Sequence, residues 1–323
     1  MTARPVEVGL AAVIALLAGV LAIAAPRFFE PANLRDILVA NLPVLIAALG
    51  ATLVILTGEI DISVGSTFAI CSVVAGTLAA LGVPFPAVAV GALFAGIATG
   101  VLNGSLVAYA GMPSIVVTLA VMVVLRDGLR WVTEGAWIHG LPASFQWLGL
   151  PQPMYPPVAL GGTALLTLAV SWWLRQTRGG RSLYATGSNG EAARLAAIDV
   201  AAVRCSAFVA AGAFTALAAV VNTARFTQVP TNTGLGLEMK VIAAVVVGGA
   251  AVTGGRGSVL GTVLGVTLLG LSGPALTFLG ASAYWERALQ GAIILAAVGA
   301  HAAGRLGATR PSAHPRLVRH GSA

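Results

Sequence analysis

The chain is 323 residues long, 58% hydrophobic and only 9% charged, with a formal net charge of +7 and a mean hydropathy of +0.93. A water-soluble domain carries about a quarter charged residues, so this composition excludes one and points to an integral membrane protein. The apolar runs, such as VGLAAVIALLAGVLAIAA at 8–25, lack the alternation of a membrane β-barrel, and the expected fold class is all-α and polytopic.

The first run, 8–25, follows Arg4 and ends in Ala22-Ile23-Ala24, a pattern that resembles a signal-peptide cleavage site. Its 18 apolar residues exceed a typical signal core and a second apolar run follows at once, so an uncleaved first span is expected. Nine further segments continue the pattern, at 37–57, 62–81, 84–108, 114–126, 156–174, 205–222, 239–252, 258–273 and 285–303. A helix needs roughly 20 residues to cross the hydrocarbon core. Segments 114–126 and 239–252 fall short of that, so the expected count is about ten crossings, within a range of eight to ten. Residues 1–303 form the predicted transmembrane domain and 304–323 a basic tail.

Seventeen Arg and one Lys oppose 11 acids. Five arginines (Arg175, Arg178, Arg181, Arg194, Arg204) lie in 175–204 and four (Arg305, Arg310, Arg316, Arg319) in the tail. Basic short loops stay cytoplasmic. Ten crossings from a cytoplasmic N-terminus return both clusters to the cytoplasm, so the charge reports topology in a cell membrane and needs no nucleic-acid partner. The same count puts 127–155 outside, where Trp131, Trp137, Trp147 and Tyr155 fit an interfacial aromatic belt or a docking surface for an external protein.

Between the second and third segments stands LTGEIDISVGS (56–66). Gly58 and Gly65 permit a sharp break, and Asp61 with Ser63 is predicted to cap the next helix. At a membrane edge the acids Glu59 and Asp61 are inexpensive, whereas an acid at bilayer depth would be functional by default. A second break, Thr253-Gly254-Gly255-Arg256-Gly257-Ser258, has the same glycine-rich build with Arg256 where the first has acids, and an electrostatic contact between the two breaks is an expectation. Residues 46–58 (IAALGATLVILTG) and 242–254 (IAAVVVGGAAVTG) align as an internal repeat, each followed by Gly-Ser, at Gly65-Ser66 and Gly257-Ser258.

In the polar loop 175–204, Ser188 and Glu191 have the S-x-x-E spacing of a capping box. They predict a short cytoplasmic helix over 189–197, either an ordinary loop helix or one that docks into a cytosolic partner through Ser188, Asn189, Gly190, Glu191, Ala192, Ala193, Arg194 and Leu195. Asn41, Thr52, Asn103, Thr118 and Asn222 are the polar residues within spans; each suits a solute path or a helix–helix hydrogen bond. Cys71 and Cys205 read as buried small apolar residues. The sequence holds no P-loop, no histidine pair at ligand spacing and no nucleophile–base pattern, so neither a catalytic site, a metal site nor a cofactor of its own is expected.

These motifs resemble the permease subunits of bacterial sugar ABC importers, the ribose, xylose, arabinose and galactoside group, over residues 28 to 300. FFEPANLRDIL (28–38) is similar to the family's lead into its second span. LVILTGEIDISVGS (53–66) resembles its best-known signature, usually with Gly where Glu59 stands; with Glu59 there it resembles the rhamnose-type and signal-sugar relatives. LNGSLVAYAGMPSIVVTLAVMVVLRDGL (102–129) follows the family's Asn-Gly, Pro, Thr-Leu and Arg-Gly pattern with Asp127 interrupting the last pair. GSNGEAARLAAIDV (187–200) resembles the cytoplasmic coupling segment, with Ala197 at a usual Gly. EMKVIAAVVVGGAAVTGGRGSVLGTVLG (238–265) is similar to the second signature, with Lys240 at a usually acidic position.

The resemblance implies a second permease copy or homologue, an ABC ATPase docking at the coupling helix and supplying the ATP and Mg site, and an extracytoplasmic sugar-binding protein. ATP-driven closure of that ATPase would push helix 189–197, with Glu191 and Arg194 holding the contact. A permease for branched-chain amino acids or nucleosides, and an ion-coupled secondary transporter, are the alternatives.

Overall fold

The computed structural model describes residues 4–282 continuously and, beyond them, 284–286, 288–293, 295 and 299. Nine of the 19 residues of the expected last segment 285–303 and the whole tail 304–323 lie outside the described residues. The described helices are α1 (Arg4–Ala24), α2 (Pro31–Leu56), α3 (Val64–Ala80), α4 (Phe85–Ala108), α5 (Ser114–Thr133), α6 (Tyr155–Gln176), α7 (Arg178–Ser188), α8 (Gly190–Leu195), α9 (Val200–Thr223), α10 (Leu237–Val247) and α11 (Val259–Phe278), with three short 3₁₀ turns. No strand occurs among the described residues, only an isolated bridge between Ile138 and Val229.

Six of these helices, α1, α2, α4, α6, α9 and α11, are long and apolar enough to cross a membrane. Helix α3 is apolar but has 17 residues. The segment expected at 114–126 is longer than its apolar run, because α5 continues through Arg126, Asp127 and Arg130 for 20 residues and stops where Glu134 (φ 52°) and Gly135 (φ 72°) turn left-handed. Helix α10 is short, 11 residues.

Helix α2 is the centre of the bundle, with 72% of its apolar window buried, against 6% for α1, 28% for α4 and 22% for α6. Helices α1, α4 and α6 therefore form the outer surface, and they present side chains such as Leu16, Phe94, Leu165 and Leu168. Pro43 lies inside α2 and lacks the N–H that would bond the carbonyl of Val39; Arg225 Nη1 donates to that oxygen instead, at 3.4 Å. Across the α4–α9 contact the backbones touch. A Cβ on Gly212 would overlap the carbonyl of Gly96, and a Cβ on Gly96 the carbonyl of Gly212. Small residues at such crossings let membrane helices pack by close van der Waals contact.

The bundle has two distinct ends. At one, the stretch 134–154 is tied to 224–231 by paired backbone bonds between Ile138 and Val229 (3.0 and 2.8 Å) and by Trp147 N donating to Ala224 O at 2.6 Å. The buried Tyr155 hydroxyl adds a bond to Val221 O at 2.7 Å. Trp131 and Trp137 are exposed there, while Trp147 turns in against Tyr155, ring centroids 5.4 Å apart. At the other end, both glycine-rich breaks meet α7.

Gly212→Val should drive α4 off α9 and cost about 1–3 kcal/mol through overpacking. The expected result is loss of the monodisperse peak in detergent size-exclusion chromatography. Gly161→Val, in open space on α6, should leave the peak intact.

Candidate functional site

The site is the end of the bundle where four chain segments converge. Thr177 caps α7 by accepting from Gly180 N at 3.1 Å. Helix α7 runs on through Ser188, so Ser188 cannot serve as the N-cap that the S-x-x-E spacing predicted. The extended residue that a cap requires is Asn189 (φ −161°, ψ 101°), and its Oδ1 accepts from Ala192 N at 3.0 Å. Glu191 keeps its place in the first turn of α8, where the helix dipole favours an acid. The helix is shorter than the expected 189–197, ending at Leu195 because Ala197 turns left-handed at φ 59°. That is a glycine conformation, which accounts for the glycine usual at this position in the resembling family. Ala193 of α8 is buried and Gly190 half-buried, while Glu191, Ala192, Arg194 and Leu195 are exposed, Leu195 at 91%.

Helix α7 rests directly on the two breaks. A Cβ on Gly187 would overlap both the carbonyl of Leu56 and the amide of Gly255, and Gly255 N donates to Leu56 O at 3.0 Å. A Cβ on Gly254 would come within 2.7 Å of Gly58 N and 2.9 Å of Gly187 Cα. The Tyr184 hydroxyl donates to Gly257 O at 3.0 Å, and burial raises its pKa against a smaller opposing influence from Arg175. The glycines of the two Thr-Gly pairs of the repeat share a left-handed φ, Gly58 at 85° and Gly254 at 83°. Their Gly-Ser pairs differ. Ser258 caps α11, accepting from Gly261 N at 2.9 Å, and bonds the Glu7 carboxylate of α1. Gly65-Ser66 lies inside the first turn of α3, where Ser66 donates to Ser63 O.

The expected contact between the breaks exists, but it is made by backbone and not by charge. Arg256 is exposed and forms no ion pair among the described residues. Glu59 instead meets Arg204 of α9 at 3.1 Å, with side chains 12% and 33% exposed; Arg204 Nε lies out of line for a hydrogen bond. The pairing gives Glu59 a structural partner that sequence proximity did not reveal.

The break between α2 and α3 is also less exposed than a membrane edge. Asp61 is 7% exposed, and burial pushes its carboxyl above the ordinary range while bonds from Ser63 oppose that. Asp61 Oδ1 accepts from Ser63 N at 2.9 Å and Ser63 Oγ at 2.6 Å, a local turn and not the predicted cap on α3. Ser63 has helical φ and ψ and makes no cap bond of its own, since its Oγ is engaged by Asp61 and by Asn103 Nδ2 at 2.8 Å.

The span residues separate by environment. Thr52 pairs with Thr262 Oγ1 at 2.8 Å across α2 and α11; Asn103 holds Ser63; Thr118 donates to Ser114 O at 2.8 Å and faces Ile60 O at 3.4 Å. All three are buried ties between segments of this chain. Asn222 is half-buried at the opposite end of α9. Asn41 lines a cleft. Sequence reasoning also missed a buried pair, Arg126 of α5 and Glu238 of α10, 4.0 Å apart with side chains only 10% and 12% exposed. Glu238 stands about 15 Å from the break at Gly248 by helical rise, so not every acid sits at a span edge. The signal was present as two charges in otherwise apolar stretches.

Glu59→Gln with Arg204→Met, taken as a double-mutant cycle on detergent unfolding, should give a coupling energy of about 0.5–3 kcal/mol; independent, additive effects would refute the pair. Ala197→Gly should raise the unfolding midpoint by relieving a left-handed alanine worth about 1 kcal/mol, and an unchanged or lowered midpoint would refute that strain.

The chain matches the family described as branched-chain amino acid transport system / permease component over residues 33–298. The Autoinducer 2 import system permease protein LsrC of Escherichia coli O9:H4 (strain HS) is 38% identical over 288 residues, 87% of this chain and 84% of that protein. The protein of the same name from Salmonella choleraesuis (strain SC-B67) is 39% identical over 251 residues, 78% of this chain and 72% of that protein. No solved structure matches the chain. With the family match spanning all but the two ends of an all-helical, multi-pass chain, this protein belongs to the branched-chain amino acid transport system / permease component family.

Proposed function

We propose that this chain is the membrane-spanning subunit of an ATP-driven importer whose cargo is a sugar or a sugar-like signal. The relatives at 38–39% identity are autoinducer 2 import permeases, which supports a cargo of that kind over the branched-chain amino acids of the family description. Ten crossings with both termini in the cytoplasm suit the arginine clusters. They place the joint, α7 and α8 inside and the 134–154 stretch outside, next to a sugar-binding protein. A second permease copy or homologue completes the path, lipid covers α1, α4 and α6, and ATP with Mg binds to a separate ATPase.

One observation carries the coupling role. Helix α8 exposes Leu195, Glu191 and Arg194 at its surface, while α7 behind it touches both breaks through backbone atoms. A push on α8 therefore reaches α2 and α11 without a compressible side chain between. Interfaces of this kind shift as packed units.

Leu195→Asp should abolish transport-coupled stimulation of the partner ATPase while the permease still purifies as a folded subunit. Stimulation at the wild-type level would refute docking at α8. Uptake into proteoliposomes without ATP or ATPase, driven by a proton gradient, would favour the secondary-carrier reading, for which the buried Asp61 and Glu238 are the available acids.

A further inference from the structure

A cleft of about 320 Å³ opens on the face formed by α2, α10 and α11, lined by Asn41, Lys240, Gly270, Pro274 and Glu286, with Asp36 at one edge. Lys240 Nζ donates to Glu286 Oε1 at 2.8 Å, with side chains 44% and 28% exposed. Helical rise puts Lys240 about 12 Å above the break at Gly248, Gly270 about 18 Å above Ser258, and Asn41 about 22 Å above Leu56. Both breaks lie at one end of the bundle and Asp36, on the cleft's edge, is about 30 Å above Leu56, so the cleft lies in the outer half of a hydrocarbon core about 30 Å thick.

An ammonium and a carboxylate within the hydrocarbon core do not suit a lipid-facing surface, since charges there pair, turn inward or line water. The outer helices show the contrast: α4 carries no charge at all, and α6 none before Arg175. The face carrying Lys240 and Glu286 is of a different kind.

The cleft is also built. A Cβ at residue 270 would overlap the Asn41 amide, and one at residue 273 would come within 2.7 Å of the Glu286 carboxylate. Two glycines of α11 thus make room for two polar side chains. Pro274 has no N–H, so the carbonyl of Gly270 is released from the helix ladder beside Asn41. The Asn41 amide donates to Ile37 O at 2.8 Å, which leaves its carbonyl oxygen as an acceptor.

We infer that this cleft is a subsite on the solute path for a neutral, polyhydroxylated molecule, an inference that rests on the importer reading. The Nζ of Lys240 offers donors, while Glu286, the Asn41 amide oxygen and the Gly270 carbonyl offer acceptors. Vicinal hydroxyls satisfy both kinds at once. The Lys240–Glu286 pair is neutral and Asp36 at the edge adds one negative charge, so an anionic solute is disfavoured there. The volume falls within the roughly 300–1,000 Å³ of small-molecule sites.

The test uses the whole transporter, with its ATPase and binding protein, in proteoliposomes. With Cys71 and Cys205 replaced by Ala, single Asn41→Cys and Lys240→Cys variants should react with a membrane-impermeant methanethiosulfonate, while Leu168→Cys on α6 should not. Ribose, xylose, rhamnose or autoinducer 2, whichever is transported, should slow that reaction about ten-fold. Asn41→Ala, and Lys240→Met with Glu286→Gln, should each raise the half-saturating concentration about ten-fold, a shift equal to one lost hydrogen bond, with complex yield as the folding control. Positions 41 and 240 as unreactive as 168 would overturn the inference. So would unchanged half-saturation in a transporter that still carries one of these solutes, which leaves the importer reading standing. A wild type that carries none of the four would overturn both together.

Discussion

The contact of Gly187 with the Leu56 carbonyl and the Gly255 amide is the constraint on which the rest depends. It brings backbone against backbone at the meeting point of α2, α7 and the turn before α11. Side chains yield by changing rotamer; peptide planes do not, because their geometry is fixed by resonance. Any movement of α7 is therefore passed to both breaks together. The same economy appears between α4 and α9, where Gly96 and Gly212 face each other's carbonyls.

The breaks owe their stability to polar bonds made inside the chain. Asp61, Ser63 and Asn103 form one connected run from the α2–α3 turn to α4, and Ile60 is held by Ser114 Oγ at 3.3 Å. A backbone that leaves the helix at this depth must find partners within the protein, since lipid supplies none. Asn103 and Thr118 are spent on that task. The polar residues of the spans thus divide between those closing a break and those, with Asn41, left facing a cleft.

Much of this was legible in the sequence. The apolar runs located the helices, the glycine clusters located both breaks, and Thr-Gly at 57–58 and 253–254 marked two turns with a left-handed glycine. What escaped was any feature set by partners distant in sequence. Glu59 needed Arg204, 145 positions away by subtraction of their residue numbers, and Arg126 needed Glu238. The S-x-x-E spacing at 188–191 misled because capping depends on which residue is extended, and helix α7 continues through Ser188. Asp61 misled for a similar reason: its membrane-edge position in the chain said nothing about the helices that close over it.

The three inter-segment ion pairs gain meaning from where they fall. Pairing buried charges rarely stabilises more than an apolar packing of equal volume, but removing one partner is costly, so such pairs resist sliding more than they add stability. Helix α10 holds two of them. Glu238 and Lys240 are two residues apart, roughly 200° around the helix, so one reaches inward to Arg126 and the other outward to Glu286. Rotation of this short helix about its axis would separate both pairs, the hydrogen-bonded one with Glu286 at 2.8 Å and the looser one with Arg126, which at 4.0 Å makes no hydrogen bond. It can move along its axis only by carrying those partners with it. Its lower end runs into the break at Gly248 and the joint beneath α7, while Lys240 forms part of the cleft. On the proposed importer reading, the element that joins the ATPase-facing helix α8 to the cleft is α10, whose charges on opposite faces tie it to α5 and to the segment carrying Glu286.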